Sequence, residues 1–222
     1  LTLGSHIDVS GAAGQAGTGS IVLGANNLTL AGTYTHAGTG TVTGTGAVVA
    51  KAGVLNTYTF TSTATFPNFT LNNSAAGIQL VTNGFTVSGV FTHTAGDFDL
   101  NGLPLTLSGT SYTFTAGTYS NTAGTATAVV NFTGAAMTID GTGSPVMPYV
   151  KVNSTGTLNF IADNATTPGT PIARSLTATV LFTQTAVRLQ THGLLDLGYR
   201  RIGIYCLGTS HVRLGHAPDA GH

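Results

Sequence analysis

The chain has 222 residues, of which only 6% are charged: seven Lys plus Arg balance seven acids, all of them Asp, for a formal net charge of zero. An ordinary soluble domain carries about 25% charged residues. No basic patch is available to neutralise phosphates, which sets a nucleic-acid partner aside. A hydrophobic fraction of 41% is enough for a sizeable core, and a surface without net charge favours association over repulsion.

Taken in chain order, the predicted elements are short strands of the form apolar-Thr-apolar, each closed by a small residue. Copies stand at Leu1-Thr2-Leu3-Gly4, Leu28-Thr29-Leu30-Ala31-Gly32 and Phe85-Thr86-Val87-Ser88-Gly89. Two more follow at Leu105-Thr106-Leu107-Ser108-Gly109 and Met137-Thr138-Ile139-Asp140-Gly141. A second motif trails three of them, at Tyr34-Thr35-His36-Ala37-Gly38, Phe91-Thr92-His93-Thr94-Ala95-Gly96 and Tyr112-Thr113-Phe114-Thr115-Ala116-Gly117. Alternation with period 2 sends the apolar residues to one face of a strand and Thr to the other. Thr and Val suit a pleated surface, and Gly disfavours helix. The first-motif copies are separated by 27, 57, 20 and 32 residues; the longest gap has room for an eroded copy near Tyr58-Thr59-Phe60.

Short strands, glycine corners and a repeat of roughly 20–30 residues predict an all-β fold, a β-solenoid of the right-handed β-helix kind. The alternative is an antiparallel β-sandwich, which also shows many short strands at close spacing. Asn83-Gly84 and Asn101-Gly102 fit either reading, as hairpin turns or as solenoid corners. The repeat domain is set at residues 1–186. Residues 187–222 lose the Thr/Gly texture and hold Arg188, Arg200, Arg201, Arg213, four His and the only Cys. Leu194, Leu195, Ile202, Ile204 and Tyr205 are apolar enough to bury, so this segment reads as a cap or a subunit-docking element with a loose tail. The chain opens at Leu1 rather than Met, which reads as a mature product or a fragment. It has no apolar run long enough to predict a membrane span.

The stretch from Phe66-Pro67-Asn68-Phe69-Thr70-Leu71-Asn72-Asn73-Ser74 to Leu105-Thr106-Leu107-Ser108-Gly109 resembles the degenerate repeats of bacterial secreted β-helix surface proteins of the adhesin type. The likeness covers roughly residues 20–160 and rests on composition. It implies export and a structural or adhesive role, and brings no catalytic residue with it.

Candidate sites are few. Asp97 and Asp99 stand two apart on one strand, the spacing of an acid pair or of oxygen ligands for Ca²⁺; the ordinary reading is a solvent-facing corner with Phe98 in the core. His36 and His93 occupy matching places in the second motif, where the third copy has Phe114, so they read as stacking rungs rather than metal ligands. His192, His211, His216 and His222 with Cys206 fit no zinc spacing, and Cys206 reads as a buried small hydrophobe. Lys51, Lys151 and Arg174 stand far in sequence from the Asp pair, unlike the clustered groups of pectin-cleaving β-helix enzymes. No nucleophile elbow, phosphate loop or dinucleotide fingerprint occurs, so neither catalysis nor a cofactor is expected. Six Asn-x-Ser/Thr sequons, at Asn27, Asn68, Asn72, Asn131, Asn153 and Asn164, would accept glycans in a suitable host.

The expectation is an extracellular or cell-surface structural protein, assembled with itself through strand edges or terminal segments. Leu1 and Leu3 at one end and Leu194, Leu195, Ile202, Ile204 and Tyr205 at the other are the expected contacts. The second reading is a glycan-binding module or stalk using Tyr34, Tyr58 or Tyr119 on an exposed face. A polysaccharide lyase or hydrolase at Asp97 and Asp99 ranks third, with an ice-binding Thr surface. The uneven motif intervals count against the Thr surface, because its rows need a constant coil length.

Overall fold

A computed structural model describes residues 1–51, 53–143, 145–152, 157–160, 177–180 and 188–191. The alternation read from the sequence becomes strands that wind into a β-solenoid of about 7 turns, with no helix among the described residues. The first coils hold β1 (Ile7–Val9), β2 (Ala13–Ala16) and β3 (Ile21–Val22), then β4 (Leu28–Leu30), β5 (Tyr34–Ala37) and β6 (Val42–Thr43). The middle holds β7 (Val48–Ala50), β8 (Asn56–Phe60), β9 (Ala64–Phe66), β10 (Phe69–Val81), β11 (Phe85–Val87), β12 (Val90–Asp99) and β13 (Leu105–Leu107). There follow β14 (Ser111–Phe114), β15 (Thr118–Ser120), β16 (Val129–Phe132), β17 (Ala136–Asp140) and β18 (Val146–Val152). The last described strands are β19 (Thr157–Phe160), β20 (Thr177–Val180) and β21 (Arg188–Thr191).

These strands line three faces. Face A runs β1-β4-β7-β10-β12-β14-β17-β19-β21, and β10 and β12 are long because each continues around the corner. Face B is β2-β5-β8, the second halves of β10 and β12, and β15. Face C is β9-β11-β13-β16-β18-β20, with β3 and β6 paired to each other at its N-terminal end. Every pairing is parallel, which overturns the antiparallel sandwich. Parallel neighbours need a crossover between them, and here the other two faces of each coil supply it.

On face A the register runs from Ile7 through Leu28, Val48, Phe69, Phe91 and Tyr112, in steps of 21, 20, 21, 22 and 21 residues. Coil length is therefore nearly constant up to Tyr112. The motif intervals look uneven because the copies sit on different faces: Leu28-Thr29-Leu30 on A, but Phe85-Thr86-Val87 and Leu105-Thr106-Leu107 on C. The copy expected near Tyr58 is present on face B, where Tyr58 and Phe60 stack on Tyr34 and His36.

The core is one column of apolar side chains, among them Phe60, Phe66, Phe69, Phe85, Phe91 and Phe98. Phe85 lies 5.0–5.3 Å, centroid to centroid, from Phe60, Phe66 and Phe69, within the range in which aromatic pairs attract. Asn83-Gly84 and Asn101-Gly102 are corners between faces B and C, not hairpins. Asn101 holds φ +46°, and its amide donates to the Leu80 carbonyl of the preceding coil at 3.0 Å; Asn83 does the same to Phe60 at 2.8 Å. Where corners stack, coils approach too closely for a side chain. A Cβ on Gly109 would overlap the Gly89 carbonyl below it.

Candidate functional site

At the N-terminal end the sheets stop without a cover among the described residues. β1 pairs only with β4, and β2 only with β5. Residues 1–3 add one partial rung to β3: Leu3 N donates to Val22 O at 2.9 Å and Val22 N to Leu1 O at 2.7 Å. Among the described residues no strand pairs with the outer sides of β1 and β2. Ile7, Val9, Ala13 and Ile21 are only half-buried, whereas Leu28, Leu30, Tyr34 and Val42 one coil further in are buried. Neither Lys nor Pro guards these edges, and Asp8 is their one charged residue.

The two expected contact residues here differ. Leu1 is 73% exposed, but Leu3 belongs to the core, because the partial rung turns it inward. Leu194, Leu195, Ile202, Ile204 and Tyr205 lie outside the described residues, as do His192, Cys206, His211, His216 and His222. β21 carries face A through Thr191, past the boundary drawn at residue 186.

Asp97 and Asp99 do not form the open corner expected of them. Asp99 is 3% exposed, and its carboxylate accepts from Gln79 Nε2 (2.7 Å), Thr122 Oγ1 (2.6 Å), Thr122 N (3.0 Å) and Asn101 N (2.9 Å). Burial pushes this carboxyl up, but those four donors prevail and hold it below the ordinary carboxylate range. Asp97 accepts from Thr118 Oγ1 at 2.7 Å and Ser120 Oγ at 2.5 Å. The acids of one coil are thus tied to the hydroxyls of the next, a ladder that clips face B together. Phe98 does point into the core. Among the described residues no group of three or more His, Cys, Asp or Glu is close enough to hold a metal ion.

His36 and His93 are buried, but they are not equivalent positions. His36 lies on face B between Gln15 and Phe60; His93 lies on face A between Leu71 and Phe114. The shared motif hides this difference, since it marks strand and corner rather than face. His93 meets Phe114 edge to face, with ring centroids 5.1 Å apart and planes at 89°.

Tyr34, Tyr58 and Tyr119 are interior, which removes the exposed aromatic platform expected for sugar rings. Burial pushes the Tyr34 phenol up to about 12, and those of Tyr58 and Tyr119 higher still. Tyr119 shares a 2.9 Å hydrogen bond with Tyr112. Period 2 could not reveal this, because a Tyr on a three-residue strand faces in or out according to a register that only stacking sets.

Of the sequons, Asn68 is a structural side chain: its Nδ2 donates to Thr45 O at 2.9 Å and its Oδ1 accepts from Val90 N at 2.7 Å, joining three coils. Asn27 Oδ1 accepts from Ala47 N at 2.9 Å. Asn72 and Asn131 are half-buried on outward positions, and Asn153 and Asn164 fall outside the described residues. Lys51 is exposed and Lys151 half-buried.

With constant coil length, outward Thr residues do align. Thr65, Thr86 and Thr106 form one row on face C, followed by Asn131. Beside it Ser88, Ser108 and Thr133 each donate to a carbonyl of the preceding coil. The interval argument against such rows does not hold.

The fold therefore defines a three-faced parallel β-solenoid. No family model, curated protein or solved structure matches the chain. No helix among the described residues is long and apolar enough to cross a membrane.

Proposed function

We propose that this chain is a non-enzymatic structural protein of the cell exterior, a building unit of a fibre, sheath or adhesin related in kind to secreted β-helix surface proteins. The observation that supports this reading is the stacked parallel coil itself: each coil buries its apolar side against the next, and among the described residues β1 and β2 pair on one side only, over half-buried Ile7, Val9, Ala13 and Ile21. A second copy adding strands there would satisfy the backbone and complete the core. Near-zero charge removes the repulsion that would oppose stacking. In this reading residues 187–222 supply the contact at the other end. Apolar and main-chain contacts would make assembly nearly independent of salt.

Negative-stain electron microscopy of the full chain, beside a version truncated after Thr185, tests it. Filaments from the full chain and single rods from the truncation are expected. Monodisperse rods from both would sink the self-assembly part of the reading.

A second reading has one observation in its favour, the hydroxyl row Thr65, Thr86 and Thr106 of face C, which Asn131 and Lys151 continue. A regularly spaced row of this kind would suit an ordered surface such as crystalline polysaccharide or ice. Co-sedimentation with insoluble polysaccharide and inhibition of ice recrystallisation, each lost in Thr86→Val/Thr106→Val, would support it; no effect of the protein in either assay removes it.

A further inference from the structure

Two imidazoles stand in a column built mainly of aromatic rings and aliphatic chains, the phenols of Tyr34, Tyr58, Tyr112 and Tyr119 and the amide of Gln15 among them. His36 is 1% exposed and His93 0%. Neither ring nitrogen of His36 has a partner; His93 pairs Nε2 with the Gly96 carbonyl at 2.9 Å, and its Nδ1 has none. A carbonyl only accepts, so His93 is held as the neutral Nε2–H tautomer. Gly117, at φ +117°, passes so close that a Cβ would strike this nitrogen. The neighbours are aromatic: Tyr34 and Phe60 lie 6.5 and 6.3 Å from His36, and Phe91, Phe114 and Tyr119 lie 6.4, 5.1 and 5.0 Å from His93.

The strands packed on these rings offer almost nothing to balance a proton. Around His36, β2 has no titratable residue, β8 has Tyr58 and β5 itself Tyr34, both phenols kept protonated by burial. Around His93, β10 has none, β14 has Tyr112, β15 has Tyr119, and β12 itself has Asp97 and Asp99. Both carboxylates are engaged by hydroxyls on the outer side of face B. An imidazolium at His36 would be a buried charge with no acceptor at all, and at His93 one whose Nδ1–H has none and whose Nε2–H has only the Gly96 carbonyl, which the fold cannot hold closed.

We propose that His36 and His93 are an acid-sensitive release built into the solenoid: the coils around them stay stacked at neutral pH and open when the rings take up protons in mild acid. Gln15, His36 and Phe60 share one row, and Leu71, His93 and Phe114 another, so the column accepts a permanently neutral ring where it carries the titrating one. This inference stands on the interior and does not depend on the assembly reading.

Burial lowers the pKa of both, that of His93 to about 4 despite the opposing pull of the Gly96 carbonyl and Asp97. Because the folded values lie below the unfolded value of about 6.5, the stabilising contribution is complete above that pH and is lost as pH falls toward the folded values. For each such group the unfolded-to-folded ratio rises by up to roughly tenfold per pH unit in that window.

The test follows amide hydrogen exchange and tyrosine circular dichroism of the full chain from pH 7.5 downward, in the wild type and in His36→Phe/His93→Phe. The wild type should lose protection in the coils from β5 to β15 between about pH 6 and pH 4. The double variant should keep that protection through the same window. Identical acid transitions in the two proteins, or wild-type protection unchanged down to about pH 4, would overturn the proposal. Should the Phe variant fail to fold, nitrogen chemical shifts of the imidazoles in the wild type decide the matter: rings that stay neutral in the folded chain at pH 5.5 support it, and rings that titrate near 6.5 without loss of fold refute it.

Discussion

The first coil and the middle coils obey the same alternation yet end in different states. Ile7 and Val9 stand in the same register rows as Phe69 and Leu71, but the former are half-buried and the latter fully so. The difference is not one of residue type alone. A middle rung is covered above and below, whereas among the described residues the first has a neighbour on one side only. In a stacked fold burial is a property of the interface between coils, and stability is a sum over those interfaces. The half-buried first described rung is therefore where covering a side chain gains most, and the phenylalanine column is the place where losing a side chain costs most.

The largest expected effect breaks the column. Phe85→Ala removes a buried ring that touches Phe60, Phe66, Phe69 and Phe98, and should cost about 3–5 kcal/mol. Ile7→Ala at the edge deletes a side chain that keeps much of its exposure, and should cost roughly 1 kcal/mol, well under the ~1.5–3 kcal/mol of a fully buried aliphatic chain. Urea unfolding of dilute, unassembled protein reads both. Equal costs would mean that the first coil is covered, and the contrast between the two regions would fall. In assembled material the Ile7 cost should rise toward that of an interior residue.

A smaller effect isolates the polar ladder of face B. Asp99→Asn keeps the shape but discards the charge that four donors converge on, and should lower stability by about 2 kcal/mol at pH 7. The folded pKa of Asp99 is depressed, so its contribution is present above the ordinary carboxylate value and lost as pH falls through the folded one. The variant should accordingly be less stable at neutral pH and lose less on strong acidification. This limb lies below the window of the two histidines, so acid titration monitored by circular dichroism separates them.

How much of this was legible in the sequence depends on which neighbour a residue answers to. Strand, corner and inward face follow from local alternation, so the all-β solenoid could be read directly from runs such as Phe85-Thr86-Val87-Ser88-Gly89. The face on which each run lies could not. Leu105-Thr106-Leu107 and Leu28-Thr29-Leu30 are the same word in two places, and only the constant step of about one coil, hidden among unlike rung partners such as Val48 and Phe69, sorts them. For the same reason His36 and His93 looked equivalent and Tyr34, Tyr58 and Tyr119 looked available. The Asp99 ladder was invisible, because its side-chain donors come from Gln79 on one coil and Thr122 on another, each 20 or more residues away.

The smallest expected effect concerns the outward rows. Thr86→Val and Thr106→Val exchange one β-branched side chain for another of equal shape on half-exposed positions, and Val49 already occupies such a place on face A. Neither Thr86 nor Thr106 spends its hydroxyl on a carbonyl of the preceding coil as Ser88 and Ser108 do. Substitutions away from such features usually fall within about 0.5 kcal/mol, so the unfolding midpoint should not move measurably. That neutrality is what makes the pair informative. If the rows only complete a strand, nothing else changes either; if they face an ordered surface, binding is lost from a protein that is folded to the same degree. A marked loss of stability would instead place Thr86 and Thr106 in the structural ladder with Ser88 and Ser108, and would remove face C as a distinct recognition surface.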